Sequence, residues 1–175
     1  MDVSIVIPTK NGGELLDKVL KKVFEQETEY KYEVICVDSG STDETVDTIR
    51  KYPCRLFEIL PEEFGHGKTR NYGASKGTGE FIVFLTQDAL PVDNFWLQNL
   101  IDAMKIDDEV VGGFGIHHPY PECNELDKRD ITLHFKGFGE KNTIFAIEDR
   151  TRYAIEEGYR HFLAFFSDNN SCLRR

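Results

Sequence analysis

The chain has 175 residues, a hydrophobic content of 40% and a formal charge of −10 from 21 basic and 31 acidic residues. That length suits one proper core and is short for two, and an acidic balance without a basic stripe argues against nucleic acid as a partner. No apolar run reaches membrane-spanning length, and Cys36, Cys54, Cys123 and Cys172 form no C-x-x-C pair, so a cytoplasmic protein with structural thiols is expected.

Val3, Ile5, Val6 and Ile7 open the chain as a strand, broken by the turn formers Pro8-Thr9-Lys10-Asn11-Gly12-Gly13. Leu15, Leu16, Val19, Leu20, Val23 and Phe24 then recur at helical spacing. Val34-Ile35-Cys36-Val37 has the length and β-branching of a strand buried on both faces, with Asp38 at its C-terminal edge and Gly40 in the turn. Ser41 and Glu44 stand in the S-x-x-E relation of a capping box, which predicts a helix start there with Val46 and Ile49 facing inward. Phe81-Ile82-Val83-Phe84-Leu85 is a third buried strand, ending in Thr86-Gln87-Asp88-Ala89. Pro91 and Asp93 open a helix whose expected inner face is Phe95, Trp96, Leu97, Leu100, Ile101 and Met104, and Val110 to Gly115 reads as a strand flexed by glycines. This alternation predicts an α/β fold with a mostly parallel sheet and helices on both faces. Residues 116–160 differ in texture, either a cover over a site or a surface insertion, with a helix expected from Asn124 to Phe135. Phe162 to Phe166 is expected to be buried, and an end at Arg175 within an apparent element suggests a truncated polypeptide.

In open α/β sheets, ligands bind outside the carboxyl ends of the strands, where Thr9, Asp38 and Asp88 all fall. Asp38 alone reads equally as a site or as an acid that bonds nearby amides. One right-handed crossover joins its strand to that of Thr9, which puts both loops on the same sheet edge. Gly65-His66-Gly67-Lys68-Thr69-Arg70-Asn71 places glycines and cations at a helix start, suited to a diphosphate or simply a polar helix N-terminus. It is no P-loop, because Glu62 stands where the first glycine is needed, and no dinucleotide fingerprint, because Arg70 replaces the third glycine. Asp88 is placed to hold Mg²⁺ or Mn²⁺ or to form a turn. The histidines lack partners at zinc-ligand spacing, and His117 alone lies near a strand end of interest.

Ser4 to Gly12, Val37 to Thr45, Thr69 to Ala74 and Leu85 to Ala89 together resemble the ordered motifs of a family 2 glycosyltransferase with the GT-A fold. Gly65 to Asn71, Thr86 to Ala89, Gly112 to Gly115 and Phe166 to Arg175 further resemble bacterial O-antigen-type rhamnosyltransferases. The first likeness covers roughly residues 1–115, implying a nucleotide-sugar-binding half there and the start of an acceptor-side half, in the same domain, over 116–175.

By resemblance, Pro8, Thr9, Asp38, Ser39, Gly67, Lys68, Arg70 and Gln87 are expected to bind the nucleotide sugar, with Asp38 accepting the imide N–H of uracil or thymine. Asp88 is expected to hold the Mg²⁺ or Mn²⁺ on the diphosphate; Thr86 stands where the family commonly has the first acid of D-x-D. The implied reaction is an inverting transfer of a sugar, rhamnose or another hexose, from a dTDP- or UDP-linked donor to a glycan or lipid-linked acceptor. It is expected in the cytoplasm or at the inner membrane face, with the catalytic base beyond Arg175. A truncated or non-catalytic nucleotide-sugar-binding module is the alternative. A sugar-nucleotide pyrophosphorylase would instead carry a Gly-rich loop after the first strand, where this chain has Ile7-Pro8-Thr9-Lys10.

Overall fold

A computed structural model describes residues 1–138 and 142–175, which form two compact units, residues 1–114 with 167–175 and residues 115–166. The first unit is built on a six-stranded sheet. Its strands are β1 (Val3–Thr9), β2 (Tyr32–Asp38), β3 (Arg55–Glu58), β4 (Phe81–Leu85), β5 (Gly112–Phe114) and β6 (Asn170–Arg174). Their order is β3-β2-β1-β4-β6-β5. β1, β2, β3 and β4 run parallel, and β6 pairs antiparallel with both β4 and β5. The sheet is therefore mixed but mostly parallel, as the strand-and-helix alternation predicts.

Helices cover both faces. On one lie α1 (Gly13–Phe24), α2 (Thr45–Arg50) and α4 (Trp96–Met104), whose Leu16, Leu20, Ile49, Leu97, Ile101 and Met104 close over Val3, Ile5, Ile7 and Val83. On the other lies α3 (His66–Lys76), over Val6, Ile35, Val37, Ile82 and Phe84. Gly73 lets α3 sit close on the sheet, since a Cβ there would come within 2.4 Å of Val6 Cγ1.

Arginines close the helix ends, where cations suit the unpaired carbonyls. Arg174 donates to Met104 O at the end of α4, and Arg175 to Ala74 O and Gly77 O at the end of α3. At the N-terminal edge of the sheet the half-buried Glu33 ties three segments together. It accepts from Ser4 Oγ, Thr78 N, Thr78 Oγ1 and Arg55 Nη1. Burial by itself raises its pKa, but these hydrogen bonds prevail and pull it down to about 2.

The second unit contains α5 (Glu125–Lys136), α6 (Arg150–Ile155) and α7 (Glu157–Ala164). Asn124 caps α5 by accepting from Leu126 N and Asp127 N, one residue from the expected start. His117 lies with its ring 4.4 Å from that of Phe135.

Several local expectations are corrected. Ser41 and Glu44 form no capping box: α2 starts at Thr45, and the Ser41 hydroxyl donates to Asp38 instead. Phe95 precedes α4 and is exposed, because the inner stripe begins at Trp96. Val110 and Val111 lie outside β5, which is a short edge strand. Phe162 to Phe166 is not a buried element, since Phe162 ends on α7 and both Phe162 and Phe166 are exposed. Strand β3 was not anticipated, its four residues having exposed charges at both ends.

Candidate functional site

Chain order reverses across the sheet beside β1: β2 and β3 follow on one side, β4 on the other. The carboxyl ends of β1 and β4 therefore flank a topological switch point, the usual place for a ligand crevice in such sheets. The expected site residues divide among three loops there and the start of α3.

Thr9 and Asp38 are register partners at the ends of β1 and β2, both almost fully buried. Asp38 Oδ1 accepts from Thr9 Oγ1 at 3.0 Å and from Ser41 Oγ at 2.5 Å. Its Oδ2 accepts from Gly40 N at 3.0 Å and Ser41 N at 2.8 Å. Four donors hold the carboxylate in one orientation. Gly40 has a φ of 81°, a left-handed conformation open to glycine, and so the turn can fold its amides back onto the acid. Ser39 is buried beside it and gives both its N–H and its hydroxyl to Thr9 O. Pro8 is half-buried in β1 opposite Val37.

Lys10 and Asn11 stitch these loops together. The Lys10 ammonium donates to Ser39 O at 2.9 Å and also to Gly40 O. Asn11 N donates to Ser41 Oγ, and Thr42 N donates to Asn11 Oδ1, both at 2.8 Å. Neither residue was expected to shape the site. Their signal was the Ser4 to Gly12 stretch, which contains both and carries part of the family resemblance.

At the end of β4, Gln87 turns its carboxamide toward β1: Oε1 accepts from Lys10 N at 2.9 Å, and Nε2 donates to Lys10 O at 3.0 Å. Asp88, next along the turn, is exposed. Thr86 N donates to Asn169 O at 3.0 Å, and Trp96 Nε1 to Asn170 Oδ1 at 2.9 Å, which fixes the segment before β6 beside this turn.

Helix α3 brings the cations. Gly65 is its extended N-cap, and Gly67 faces open space, with nothing within 4 Å of where a Cβ would stand. Lys68 is exposed in the first turn. Arg70 is 9% exposed; Nη1 donates to His66 O at 3.2 Å, and Nη2 meets Asp168 Oδ2 at 3.1 Å. Its Nε is buried with no hydrogen-bond partner among the described residues. Arg70 is thus a buried guanidinium held by main-chain carbonyls and one exposed acid, with one donor unspent. Asp168 was not expected in this role, although it lies in the Phe166 to Arg175 stretch that carries the narrower resemblance.

No group of three or more His, Cys, Asp or Glu side chains that could cage a metal occurs among the described residues. Asp88 offers a single hard oxygen donor. That fits Mg²⁺ or Mn²⁺ held by one carboxylate and the oxygens of a phosphorylated ligand, and does not fit an all-protein cage.

The profile of "Glycosyl transferase family 2" matches residues 4–167. The chain belongs to this family. It is 35% identical over 128 residues to the O-antigen chain rhamnosyltransferase RfbN of Salmonella typhimurium LT2, covering 72% of this chain and 40% of that protein. With WbaN of Salmonella anatum, also named an O-antigen chain rhamnosyltransferase, identity is 32% over 124 residues, covering 70% and 39%. The chain thus spans about two fifths of the length of these relatives.

Solved structures agree on the fold, which is GT-A. Staphylococcus aureus TarS 1–349 with UDP superposes over 99% of this chain and 47% of its own, at a TM-score of 0.68 and 17% identity. The Pyrobaculum calidifontis mannosyltransferase PcManGT, solved with GDP-Man and Mn²⁺, covers 74% and 37%, at a TM-score of 0.59 and 26% identity. No helix among the described residues is long and apolar enough to cross a membrane.

Proposed function

We propose that this chain carries the donor site of a metal-dependent, inverting glycosyltransferase. The reaction moves rhamnose from a dTDP- or UDP-linked donor to a glycan or lipid-linked glycan, at the cytoplasmic face of the membrane. The observation that carries this reading is that the Thr9–Asp38 pair and the exposed Asp88 lie at or just past the carboxyl ends of adjacent parallel strands, while Asp168 ties the buried Arg70 to the segment that Thr86 N bonds. The rhamnosyltransferase relatives support the sugar, and the Mn²⁺ in PcManGT supports the ion.

In this reading Thr9 and Asp38 hold the base. An imide N–H reaches Asp38 Oδ1 when the Ser41 hydroxyl turns away, and Pro8 and Ser39 shape the slot. The amides of Gly67 and Lys68, the Lys68 ammonium and Arg70 take the diphosphate oxygens. Asp88 would hold the divalent ion, which would supply charge neutralisation for the diphosphate. The acceptor hydroxyl gives its proton to a carboxylate base and attacks the anomeric carbon as the bond to the diphosphate oxygen on the opposite side breaks, and Arg70 and Lys68 steady the leaving group's negative charge in the transition state.

Calorimetric titration of dTDP and UDP, with and without Mn²⁺, tests the reading, with GDP as the control base. Binding that tightens with Mn²⁺, and an Asp88→Ala variant that loses at least tenfold of that gain, are expected. Equal affinity with and without the ion in both proteins would sink the assignment of Asp88.

A further inference from the structure

The ladder between β1 and β4 ends at the Val6–Phe84 pair, yet β1 continues for three more residues while β4 stops at Leu85 and turns. Past that point no ladder pair joins the two strands among the described residues. Gln87 spans the gap with its side chain. Its carboxamide gives the Lys10 backbone one acceptor and one donor, the pair a neighbouring strand would have supplied. Gly12 leaves room for it and for Leu16, since a Cβ there would stand 2.9 Å from Leu16 Cβ and 3.0 Å from Gln87 Oε1.

Lys10 carries the connection onward. While its backbone is held by Gln87, its ammonium is held by Ser39 O and Gly40 O, in the turn whose amides orient Asp38. A continuous polar strut thus runs from the turn holding Asp88, through Gln87 and Lys10, to the turn holding Asp38. One lone pair of Oε1 and one hydrogen of Nε2 are engaged in it, so the carboxamide is held in one orientation without any ligand.

We infer that Gln87 is a positioning residue that sets the spacing between the base-holding and diphosphate-holding halves of the crevice, rather than a group that touches the donor. This rests on the donor-site reading above and deepens it. A ligand that spans both halves, such as a nucleoside diphosphate with its ion, needs that spacing. A ligand that engages one half does not.

Gln87→Leu keeps the bulk and removes both hydrogen bonds, and Gly12→Ala keeps the carboxamide but crowds it. UDP and dTDP are titrated with Mn²⁺, and UMP and dTMP without it, into the 175-residue chain and both variants. Amide hydrogen exchange at Lys10 is followed in parallel. In Gln87→Leu, Lys10 exchange accelerates and Kd for the diphosphates with Mn²⁺ rises about tenfold, while the metal-free monophosphates change less than twofold. Gly12→Ala shifts both readouts the same way, by less. Lys10→Met, which cuts the strut at the ammonium and keeps the Gln87 carboxamide, is expected to weaken the diphosphates as Gln87→Leu does. A purely structural role weakens all four nucleotides in parallel, and direct contact of Gln87 with the donor leaves diphosphate affinity unaltered in Lys10→Met; either result overturns the inference. Failure of the parent chain to bind any nucleotide would refute the donor-site reading instead, while the exchange at Lys10 still judges the strut.

Discussion

Single side chains in this crevice carry two loads that substitution can separate. Asp38 orients a turn through four donors, two of them backbone amides that cannot become acceptors and two of them hydroxyls that can. Asp38→Asn can therefore keep its oxygen on Gly40 N and Ser41 N and turn its amide toward the Thr9 and Ser41 hydroxyls. The expected cost in stability is about 1 kcal/mol by denaturant titration, while dTDP and UDP affinity falls about tenfold for want of an imide acceptor. Equal affinity in the variant would return Asp38 to a purely structural role. Glu33 is the contrasting case, an acid far from the crevice whose carboxyl is held near a pKa of about 2 against an ordinary 4.5. A folded value below the unfolded one favours the ionised form in the folded protein. Its contribution is thus full above pH 4.5 and is lost as pH falls toward 2. Because the Arg55 partner is partly exposed, the contribution is on the order of 1 kcal/mol, and Glu33→Gln should flatten the stability profile between those limits.

Among elements, α3 links fold and site most directly. Its outer turns hold Lys68 and Arg70, and its inner contact is Gly73 against Val6 and Val37. Ala at 73 gains up to about 1 kcal/mol of helix propensity but forces a Cβ to 2.4 Å from Val6 Cγ1, and overpacking of that kind costs about 1–3 kcal/mol. Gly73→Ala is expected to lower Tm and to weaken diphosphate binding by moving the start of α3, and Val6→Ala in the same chain should restore both. Independent, additive losses in the double variant would show that α3 does not transmit the clash.

The same scale explains what could be read in advance. β1, β2 and β4 are legible because both faces of each are covered, giving unbroken apolar runs such as Val34 to Val37 and Phe81 to Leu85. β3 is an edge strand bearing Arg55 and Glu58, and its short polar-ended pattern carries little signal. At the Ser41 turn the capping rule competes with a tertiary partner. Asp38, already buried, takes the hydroxyl that a local reading assigns to a helix end. Likewise Arg70 and Gln87 are conspicuous by residue type, but their partners Asp168 and Lys10 are 98 and 77 residues distant, beyond any local pattern.

For the molecule as a whole, the chain leaves the sheet after β5 and returns to it as β6, and residues 115–166 between them form the second unit. Thr9, Asp38, Arg70, Gln87, Asp88 and Asp168 all lie in the first. Phe114 pairs antiparallel with Ser171, and Ser167 lies four residues before Ser171, so the two ends are at most about 20 Å apart. A flexible linker of about eight Gly and Ser residues in place of 115–166 spans that distance with slack. The β4–β6 ladder is what such a deletion must preserve, because β4 is buried along its whole length and Cys172, its thiol pushed up to about 12 by burial, lies against Val83. The shortened chain is therefore expected to unfold cooperatively and to bind dTDP or UDP with Mn²⁺ within about threefold of the parent, since a 1.4 kcal/mol loss would already be tenfold. A folded product with no affinity would place an essential donor contact in residues 115–166. An unfolded one would show that the first unit depends on the second for its stability.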